Sequence, residues 1–331
     1  MSRTSVAEEK RIPATPKAKP RRSRSVRRGG IFTRSKVPYL LVLPAVVLEL
    51  LVHLVPSAAG VFTSLFGLDQ FYIRQWFSAP FVGLQNYKIA LDFSNSVGEA
   101  LLHSFAVTIL YTVVVVAFSW FLGFSAALIL QNAFKGRGLL RTIFLIPYAM
   151  PVYAGVIVWS FMLQRDNGLV NHILVNDLHL TNTAPFWLLG NNAFISTAAI
   201  AIWRMWPFAF LMTMAGMQSI SEDVYEAAAL DGAGSWTRTY YITLGLLRPV
   251  TAVLLLMMFL WTFNDFNTPF VLFGTSPPPS VDLISMHIYT SSFVNWNFGL
   301  GSAMSVLMLV FLLVVTGLWF LWDRRGQRHA A

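Results

Sequence analysis

The sequence predicts an all-α, polytopic membrane protein with about six transmembrane helices. Apolar residues make up 56% of the chain and charged residues only 12%, whereas a soluble domain usually carries about 25% charged residues. The mean hydropathy is +0.59. The apolar residues fall in blocks of the ~20 residues needed to cross a bilayer, and backbone groups in lipid must be paired within each block. Each block is therefore expected to form a helix.

Six apolar blocks are long enough to span the membrane. They are approximately Tyr39–Phe66, Leu101–Leu130, Leu139–Leu163, Ala193–Met217, Leu246–Phe266 and Ala303–Trp322. Residues 1–36 are polar and longer than the basic region of a secretory signal, so we expect the first block to remain as a span. Pro147 and Pro151 are expected to kink the third span, since proline interrupts the helical hydrogen-bond ladder. Gly274–Pro279 (GTSPPP) is expected to form a turn after the fifth span.

The chain has a net charge of +9. If it crosses the membrane six times, its basic residues are distributed unevenly between the two sides of the membrane. Residues 1–36 carry twelve Lys and Arg residues. The connections after the second and fourth spans, together with the C-terminal tail, carry Lys135, Arg137, Arg141, Arg238, Arg248, Arg324, Arg325 and Arg328. The other connections hold only Arg74, Lys88 and Arg165. Because cytoplasmic loops are enriched in Lys and Arg, both termini are predicted to be cytoplasmic.

The predicted organisation is one membrane domain between two tails. Residues 1–36 form a basic cytoplasmic tail whose Pro, Ser and Arg content is typical of disorder. Residues 37–326 form the transmembrane domain, with a large loop at about 219–249, and residues 327–331 form a short cytoplasmic tail. Nucleic-acid binding is an alternative role for the basic tail. Membrane orientation and attraction to anionic lipid account for its charge without a nucleic-acid partner.

Several chemical functions are disfavoured by the residues that are missing from the sequence. There are no cysteines, which excludes disulfides, zinc–thiolate sites and iron–sulfur clusters. No phosphate-binding Gly-x-x-x-x-Gly-Lys-[Ser/Thr] loop occurs, nor a His-Glu-x-x-His or Gly-x-Ser-x-Gly motif. His172 and His179 lack a carboxylate partner and make a poor metal site. No catalytic residue, metal or cofactor is therefore predicted on this chain.

The loop between the fourth and fifth spans has the pattern of a surface helix–turn–helix. Ser221 is a plausible N-cap, and Glu222 and Asp223 place negative charge at the positive end of the first helix. The strong helix formers 226–230 follow, and Asp231–Gly234 is expected to end that helix. A second amphipathic stretch runs from Ser235 to about residue 244. Such a unit is either a docking surface for another protein or a helix that covers the end of the bundle.

This loop resembles the EAA loop of bacterial ABC import permeases. The resemblance is carried by Glu226-Ala-Ala228, by Gly232 and by the Ile242-x-Leu244 pair. In that family the loop forms a coupling helix that sits in a cleft of the ATPase subunit, and its carboxylate is expected to pair with a basic group there. The resemblance therefore implies that Glu226, Ala227, Ala228, Asp231 and Gly232 couple the chain to an ATPase. Gly245 stands where the family usually has proline, and it is expected to break the helix instead.

The resemblance extends over nearly the whole chain after the basic tail. The matching stretches are Phe81–Tyr87, Arg141–Pro151, Asp166–Asn171, Trp203–Pro207 and Phe298–Ala303. Together they are similar to the first permease of the maltose/glycerol-3-phosphate type of sugar importer. The family pattern Leu-Thr-x-Gly-Gly-Pro after the fifth span is replaced here by Leu272-Phe-Gly-Thr-Ser-Pro277.

The resemblance implies a complex in a bacterial inner membrane. Its expected parts are this chain, a second permease subunit, two ATPase subunits that bind ATP and Mg²⁺, and an extracytoplasmic solute-binding protein. This chain would be a non-catalytic subunit that forms part of the path for a sugar, with a di- or oligosaccharide as the first choice. A phosphorylated polyol such as glycerol-3-phosphate is the alternative, because Arg204 could contact a phosphate.

Polar side chains at membrane depth are the candidates for substrate contact, since burying them in lipid is costly. They match positions where maltose-type permeases line the sugar site: Tyr148, Trp203, Arg204, Asn264, Asp265 and Asn267. Amides and carboxylates can bind hydroxyls, and the aromatic rings can stack on a sugar. The alternative is that Arg204 and Asp265 form an internal ion pair between the fourth and fifth spans. Glu49, His53 and His103 lie nearer the membrane edges and are expected to be structural.

Two other classes of membrane protein are less consistent with the sequence. An ion-coupled carrier would favour more spans, an inverted repeat and a buried carboxylate relay, none of which is recognisable here. A membrane enzyme would carry a catalytic motif. A third alternative, a purely structural membrane subunit, would not need an EAA-type loop.

Overall fold

A computed structural model describes residues 37–328 of the 331-residue chain, with side chains described from Tyr39 to Asp323. The predicted basic tail, residues 1–36, and residues 329–331 lie outside the described residues. The chain divides into two compact units, Met1–Leu54 and Val55–Ala331. The described part of the first unit is α1 (Val37–Glu49) followed by one π-helical turn, Leu50–Leu54. Within it, Glu49 and His53 are in contact, with 3.3 Å between Oε2 and Nδ1.

The second unit, as far as residue 328, is built from helices. They are α2 (Val55–Thr63), α3 (Gln85–Leu91), α4 (Ser96–Ile129), α5 (Arg137–Ala149), α6 (Val152–Met162), α7 (Gly190–Met217), α8 (Glu222–Leu230), α9 (Arg248–Phe263), α10 (Asn267–Phe273), α11 (Ile284–Tyr289) and α12 (Phe298–Arg328). Shorter turns are the α-helical Leu169–Asn171, Ser235–Thr237 and Leu244–Leu246, the π-helical His172–Asp177, Arg238–Thr243 and Thr290–Val294, and the 3₁₀ turns Trp76–Ser78 and Pro279–Val281.

The predicted number of about six membrane spans is confirmed. Five helices in the described part are long and apolar enough to cross a bilayer: Tyr39–Thr63, Ser96–Ile129, Gly190–Met217, Arg248–Phe273 and Phe298–Asp323. The pair α5 and α6 passes the same test jointly, and the two helices are bent by 92° at Met150 and Pro151. The predicted kink is thus a sharp break, because Pro151 lacks an N–H and disfavours a helical conformation at the residue before it.

The centre of the second unit is the contact between α4 and α7. Gly123 lies where the two backbones are in close contact. A Cβ atom placed on it would lie 2.5 Å from the backbone N of Phe210 and 2.6 Å from the Cβ of Ala209. Small residues let membrane helices pack this tightly. Beside this point, Phe124, Phe210 and Leu247 belong to one buried apolar cluster.

The junction between α7 and α9 differs in one detail from the expectation. Gly245 does not break the helix, because it lies inside the helical turn Leu244–Leu246. The chain turns at Leu247, which is 1% exposed in the apolar cluster beside Gly123. Pro249 follows in the first turn of α9, where its missing N–H costs nothing. The interruption between Leu246 and Arg248 therefore coincides with the buried Leu247 and with the proline that follows, and not with Gly245.

The predicted turn after the fifth span is present. Helix α10 ends at Phe273, and Gly274 has φ of +63°. Further on, the carbonyl of Pro279 lies 3.0 Å from Nε2 of His103. His103 therefore has a structural contact, which agrees with its expected role.

Candidate functional site

The fifth span is interrupted where its polar residues occur. Helix α9 ends at Phe263 and α10 begins at Asn267, so Asn264, Asp265 and Phe266 lie in the break. One carboxylate oxygen of Asp265 accepts a hydrogen bond of 3.2 Å from the backbone N–H of Thr268. This bond satisfies one of the donors that the first turn of α10 leaves free.

The Asp265 carboxylate joins three spans. Its Oδ2 accepts a 2.9 Å hydrogen bond from the hydroxyl of Tyr111 on α4 and lies 3.8 Å from Nη2 of Arg204 on α7. The backbone carbonyl of Asp265 accepts a 2.8 Å bond from Ser285 Oγ on α11. The Asp265 side chain is only 5% exposed and that of Arg204 is 19% exposed. The two charges therefore balance each other, as in the ion-pair alternative considered from the sequence.

The other predicted substrate residues are more accessible. The side chain of Asn264 is exposed and donates from Nδ2 to the carbonyl of Leu260 at 2.7 Å. The ring of Tyr148 is exposed and stacks on Phe208, with 5.7 Å between ring centres. Trp203 is half-buried and packs edge-to-face on Trp159 at 5.7 Å.

The breaks in the third and fifth spans meet each other. Tyr153, in the first turn of α6, donates from its hydroxyl to Oδ1 of Asn267, in the first turn of α10, at 2.9 Å. Interrupted helices that face one another are a recurring way to build substrate sites in transporters. We name the residues at this meeting point the break surface: the exposed Tyr148, Tyr153 and Asn264 and the half-buried Asn267.

Sequence reasoning missed three residues of this region. Tyr111 is fully buried in a predominantly apolar helix, and Ser285 is one hydroxyl in a short helix, so neither carried a recognisable signal. Tyr153 was recognisable in principle, because it follows Pro151 by two residues and a helix break leaves polar groups to be paired.

The loop between α7 and α9 forms the predicted helix–turn–helix. Helix α8 begins after Ser221, which occupies the N-cap position without a side-chain hydrogen bond. It ends in a Schellman motif, in which the N–H of Ala233 bonds to the carbonyl of Ala228 and that of Gly232 to the carbonyl of Ala229. Gly232 has φ of +80°, a conformation that glycine adopts without strain. The expected helix end at Asp231 is thus present.

The outward surface of this loop carries both apolar and acidic side chains. Leu230, Trp236 and Tyr241 are 89%, 80% and 73% exposed. Glu226, Ala227 and Asp231 are exposed as well, while Ala228 is half-buried. A hydrogen bond of 3.1 Å between Tyr225 and Thr243 ties α8 to the following helical stretch. Exposed large apolar residues next to acidic ones are typical of a protein-docking surface.

Comparison with known proteins identifies a family and several relatives of this chain. The model of the family "Binding-protein-dependent transport system inner membrane component" matches residues 119–327. The trehalose/maltose transport system permease protein MalF of Thermococcus litoralis is 34% identical over 290 residues, covering 86% of this chain and 92% of the relative. The sn-glycerol-3-phosphate transport system permease protein UgpA of Agrobacterium fabrum is 30% identical over 295 residues, covering 88% and 95%.

A solved structure has the same fold. The chain superposes with a TM-score of 0.75 on a chain from a bacterial alginate ABC transporter in complex with an alginate pentasaccharide-bound periplasmic protein, at 20% identity and with 88% and 95% of the two chains covered. At this identity the likeness shows the fold alone. The family match and the two relatives confirm the resemblance drawn from the EAA-type loop. This chain belongs to the family of binding-protein-dependent transport system inner membrane components.

Proposed function

We propose that this chain is one of two permease subunits of an ATP-driven importer for a neutral sugar, with both termini in the cytoplasm. The observation that carries the proposal is the exposed loop 221–247, whose first helix ends in the EAA-type sequence and presents Glu226 beside large apolar side chains. Such a surface fits a cleft on a separate ATPase. The relatives named above support the importer class through their own printed functions, as a maltose and a glycerol phosphate system.

In the proposed cycle, this chain binds no nucleotide and performs no chemistry. Two ATPase subunits bind ATP and Mg²⁺ and hydrolyse the nucleotide, and a solute-binding protein delivers the sugar from outside. Closure of the ATPases moves α8, which is tied to α9 through Tyr225, Thr243 and the buried Leu247. Movement of α9 shifts the break after Phe263 and so alters access to the break surface.

The charges in the membrane support a choice between the two substrate classes. Arg204 lies 3.8 Å from Asp265, so its positive charge is already balanced and is a poor partner for a substrate phosphate. The break surface offers two aromatic rings and two amides. Rings stack on the apolar faces of sugars and amides bind hydroxyls, which favours a neutral di- or oligosaccharide over a phosphorylated polyol.

The coupling role is tested by reversing the charge of Glu226. We expect Glu226→Arg to lower co-purification of the ATPase, and ATP hydrolysis stimulated by binding protein, by at least about tenfold, the usual effect of breaking one close charge pair at an interface. This chain is tagged, co-expressed with the adjacent permease, ATPase and binding-protein genes, and purified. The amount of co-purified ATPase and the rate of stimulated ATP hydrolysis are then measured.

The matched control is Asp177→Arg, the same charge change in the exposed loop after the third span. Oδ2 of Asp177 lies 3.5 Å from Nδ1 of His172, so that histidine has the carboxylate neighbour that was not expected from the sequence. The control is expected to leave ATPase co-purification, and ATP hydrolysis measured without binding protein, unchanged. Equal effects of the two variants, or wild-type assembly by Glu226→Arg, would contradict the coupling role.

The sugar site is tested at Asn264, whose amide nitrogen bonds its own helix and leaves the exposed Oδ1 for a hydroxyl. We expect Asn264→Ala to reduce sugar uptake about tenfold, the loss that one hydrogen bond to a substrate hydroxyl usually causes. ATPase assembly should be retained. Asn192→Ala is the control, since Asn192 is a half-buried amide outside the break surface whose nitrogen also bonds a backbone carbonyl. Normal uptake by the Asn264 variant for every sugar tested would exclude this residue from the site.

A further inference from the structure

A second polar cavity lies apart from the break surface. It encloses about 640 Å³ between the connection from α4 to α5 and the helical stretches that follow α7. Its walls include Arg137, Glu222, Tyr225, Arg238 and Thr243, together with apolar residues at the ends of α4 and α7. This volume lies within the range of about 300–1,000 Å³ that is usual for small-molecule sites.

Two half-buried guanidinium groups in this cavity have no partner among the described residues. The side chains of Arg137 and Arg238 make no hydrogen bond and no ion pair there, and the Nε atom of each is buried. Arg141, one turn further along α5, also has a buried Nε without a partner, but its Nη2 donates to the carbonyl of Leu130 at 3.2 Å. Buried donors are normally satisfied, so an unpaired pair of guanidinium groups at a cavity indicates an absent anionic partner.

The backbone adds to the positive potential. Arg137 is the first residue of α5 and Glu222 is the first residue of α8, and both line the cavity. Neither the N-cap Gly136 nor the N-cap Ser221 provides a side-chain hydrogen bond to its helix. The first turn of α5 carries no acidic residue, so its free N–H groups at the positive end of the dipole favour an anion, whereas Glu222 and Asp223 already balance the dipole of α8. Glu222 is the one carboxylate in the lining, and it opposes these cations without pairing with either of them.

We propose that this cavity binds a phosphate group. Arginine forks match the geometry of phosphate oxygens, and the two guanidinium groups face one carboxylate only. The phosphate could be carried by a soluble phosphorylated compound or by the headgroup of an anionic phospholipid, since the apolar part of the lining comes from the ends of membrane-spanning helices. Its position on the cytoplasmic side rests on the proposed function, whereas binding itself does not.

A bound phosphate would join two elements that the described structure leaves unconnected by polar contacts at this point. Arg137 belongs to the start of the third span, and Arg238 belongs to the loop that we propose to contact the ATPase. An anion between them would link the loop to the membrane domain. Occupancy of the cavity would therefore stiffen the coupling loop.

The test uses the full chain reconstituted in phosphatidylcholine vesicles and measures hydrogen exchange of residues 131–141 and 222–243. One arm titrates inorganic phosphate against chloride at equal ionic strength, and the other replaces part of the lipid with phosphatidylglycerol. We expect slower exchange in both segments. Protection by inorganic phosphate assigns the site to soluble phosphates, and protection by phosphatidylglycerol alone assigns it to the lipid headgroup.

Variants of the lining residues test whether the slower hydrogen exchange results from binding in the cavity. Arg137→Gln and Arg238→Gln are each expected to weaken binding about tenfold, because each removes a charged hydrogen-bond donor. Lys135→Gln, the same charge change on an exposed side chain of the same connection, is expected to change binding less than about twofold, as for a solvated charge. Glu222→Gln is expected to strengthen binding and remains informative if the arginine variants do not fold.

Absence of protection in both arms, or equal effects of Lys135→Gln and Arg137→Gln, would overturn the proposal. ATPase association plays no part in this measurement, so its outcome is independent of the coupling test.

Discussion

Replacing Asp265 with leucine is expected to lower the free energy of unfolding by about 3 kcal/mol or more. The change leaves the Arg204 guanidinium, 19% exposed, without its counter-charge, and breaking one half of a buried pair usually costs about 3–5 kcal/mol. It also removes the acceptor for the fully buried Tyr111 hydroxyl. The measurement is unfolding by denaturant in mixed micelles.

A double-mutant cycle separates the ion pair from a substrate role. If the pair is structural, Arg204→Leu combined with Asp265→Leu should be destabilised by less than the sum of the two single changes, since the double variant leaves no unpaired charge. Tyr111→Phe is a milder control. It is expected to lower the free energy of unfolding by about 1 kcal/mol, because Asp265 keeps its other contacts. Normal stability of Asp265→Leu together with lost transport would instead assign the carboxylate to substrate binding.

The second large effect is expected at Gly123. Gly123→Val should destabilise the chain by about 3 kcal/mol, at the upper end of the usual range for overpacking, because its first added atom meets the backbone of Phe210 at 2.5 Å. Backbone atoms cannot move aside as a side-chain tip can, so α4 and α7 must separate. The measurement is again unfolding in mixed micelles, together with the yield of folded protein.

Two further variants test the cause of this effect. Gly317→Ala on α12 has no atom within 4 Å of the added Cβ and is expected to be neutral or slightly stabilising. Ala209→Gly should relieve Gly123→Val only in part, because it removes the Cβ contact at 2.6 Å but leaves the Phe210 backbone contact. Equal stability of the Gly123 and Gly317 variants would show that close helix contact is not the reason for the glycine.

The sequence predicted those parts of the structure that depend on local composition. The spans follow from apolar length, the break after Pro147 and Pro151 from missing N–H groups, and the end of α8 from Gly232. The pattern of the exposed loop was recognisable because its residues are consecutive.

Contacts between distant residues could not be predicted in the same way. Tyr111 and Asp265 are 154 positions apart, and a tyrosine in an apolar helix does not indicate its partner. The cavity lined by Arg137 and Arg238 could not be predicted either, because the two arginines come from different connections that only the folded chain brings together. Gly245 shows the opposite error, since its local preference predicted a break and the interruption lies instead at the buried Leu247.

The 92° bend in the third span limits which of its sides can face the hydrocarbon of the bilayer. Pro147 cannot donate to the carbonyl of residue 143, and Pro151 cannot donate to that of residue 147, so the ladder lacks two bonds within a few residues. A carbonyl without a donor is costly in lipid, where no water can replace the bond. The bent side of this span must therefore face protein or a water-filled passage. If the sugar path of the proposed importer runs along this side, carbonyl oxygens that require a donor line it, and the hydroxyls of the sugar can supply one.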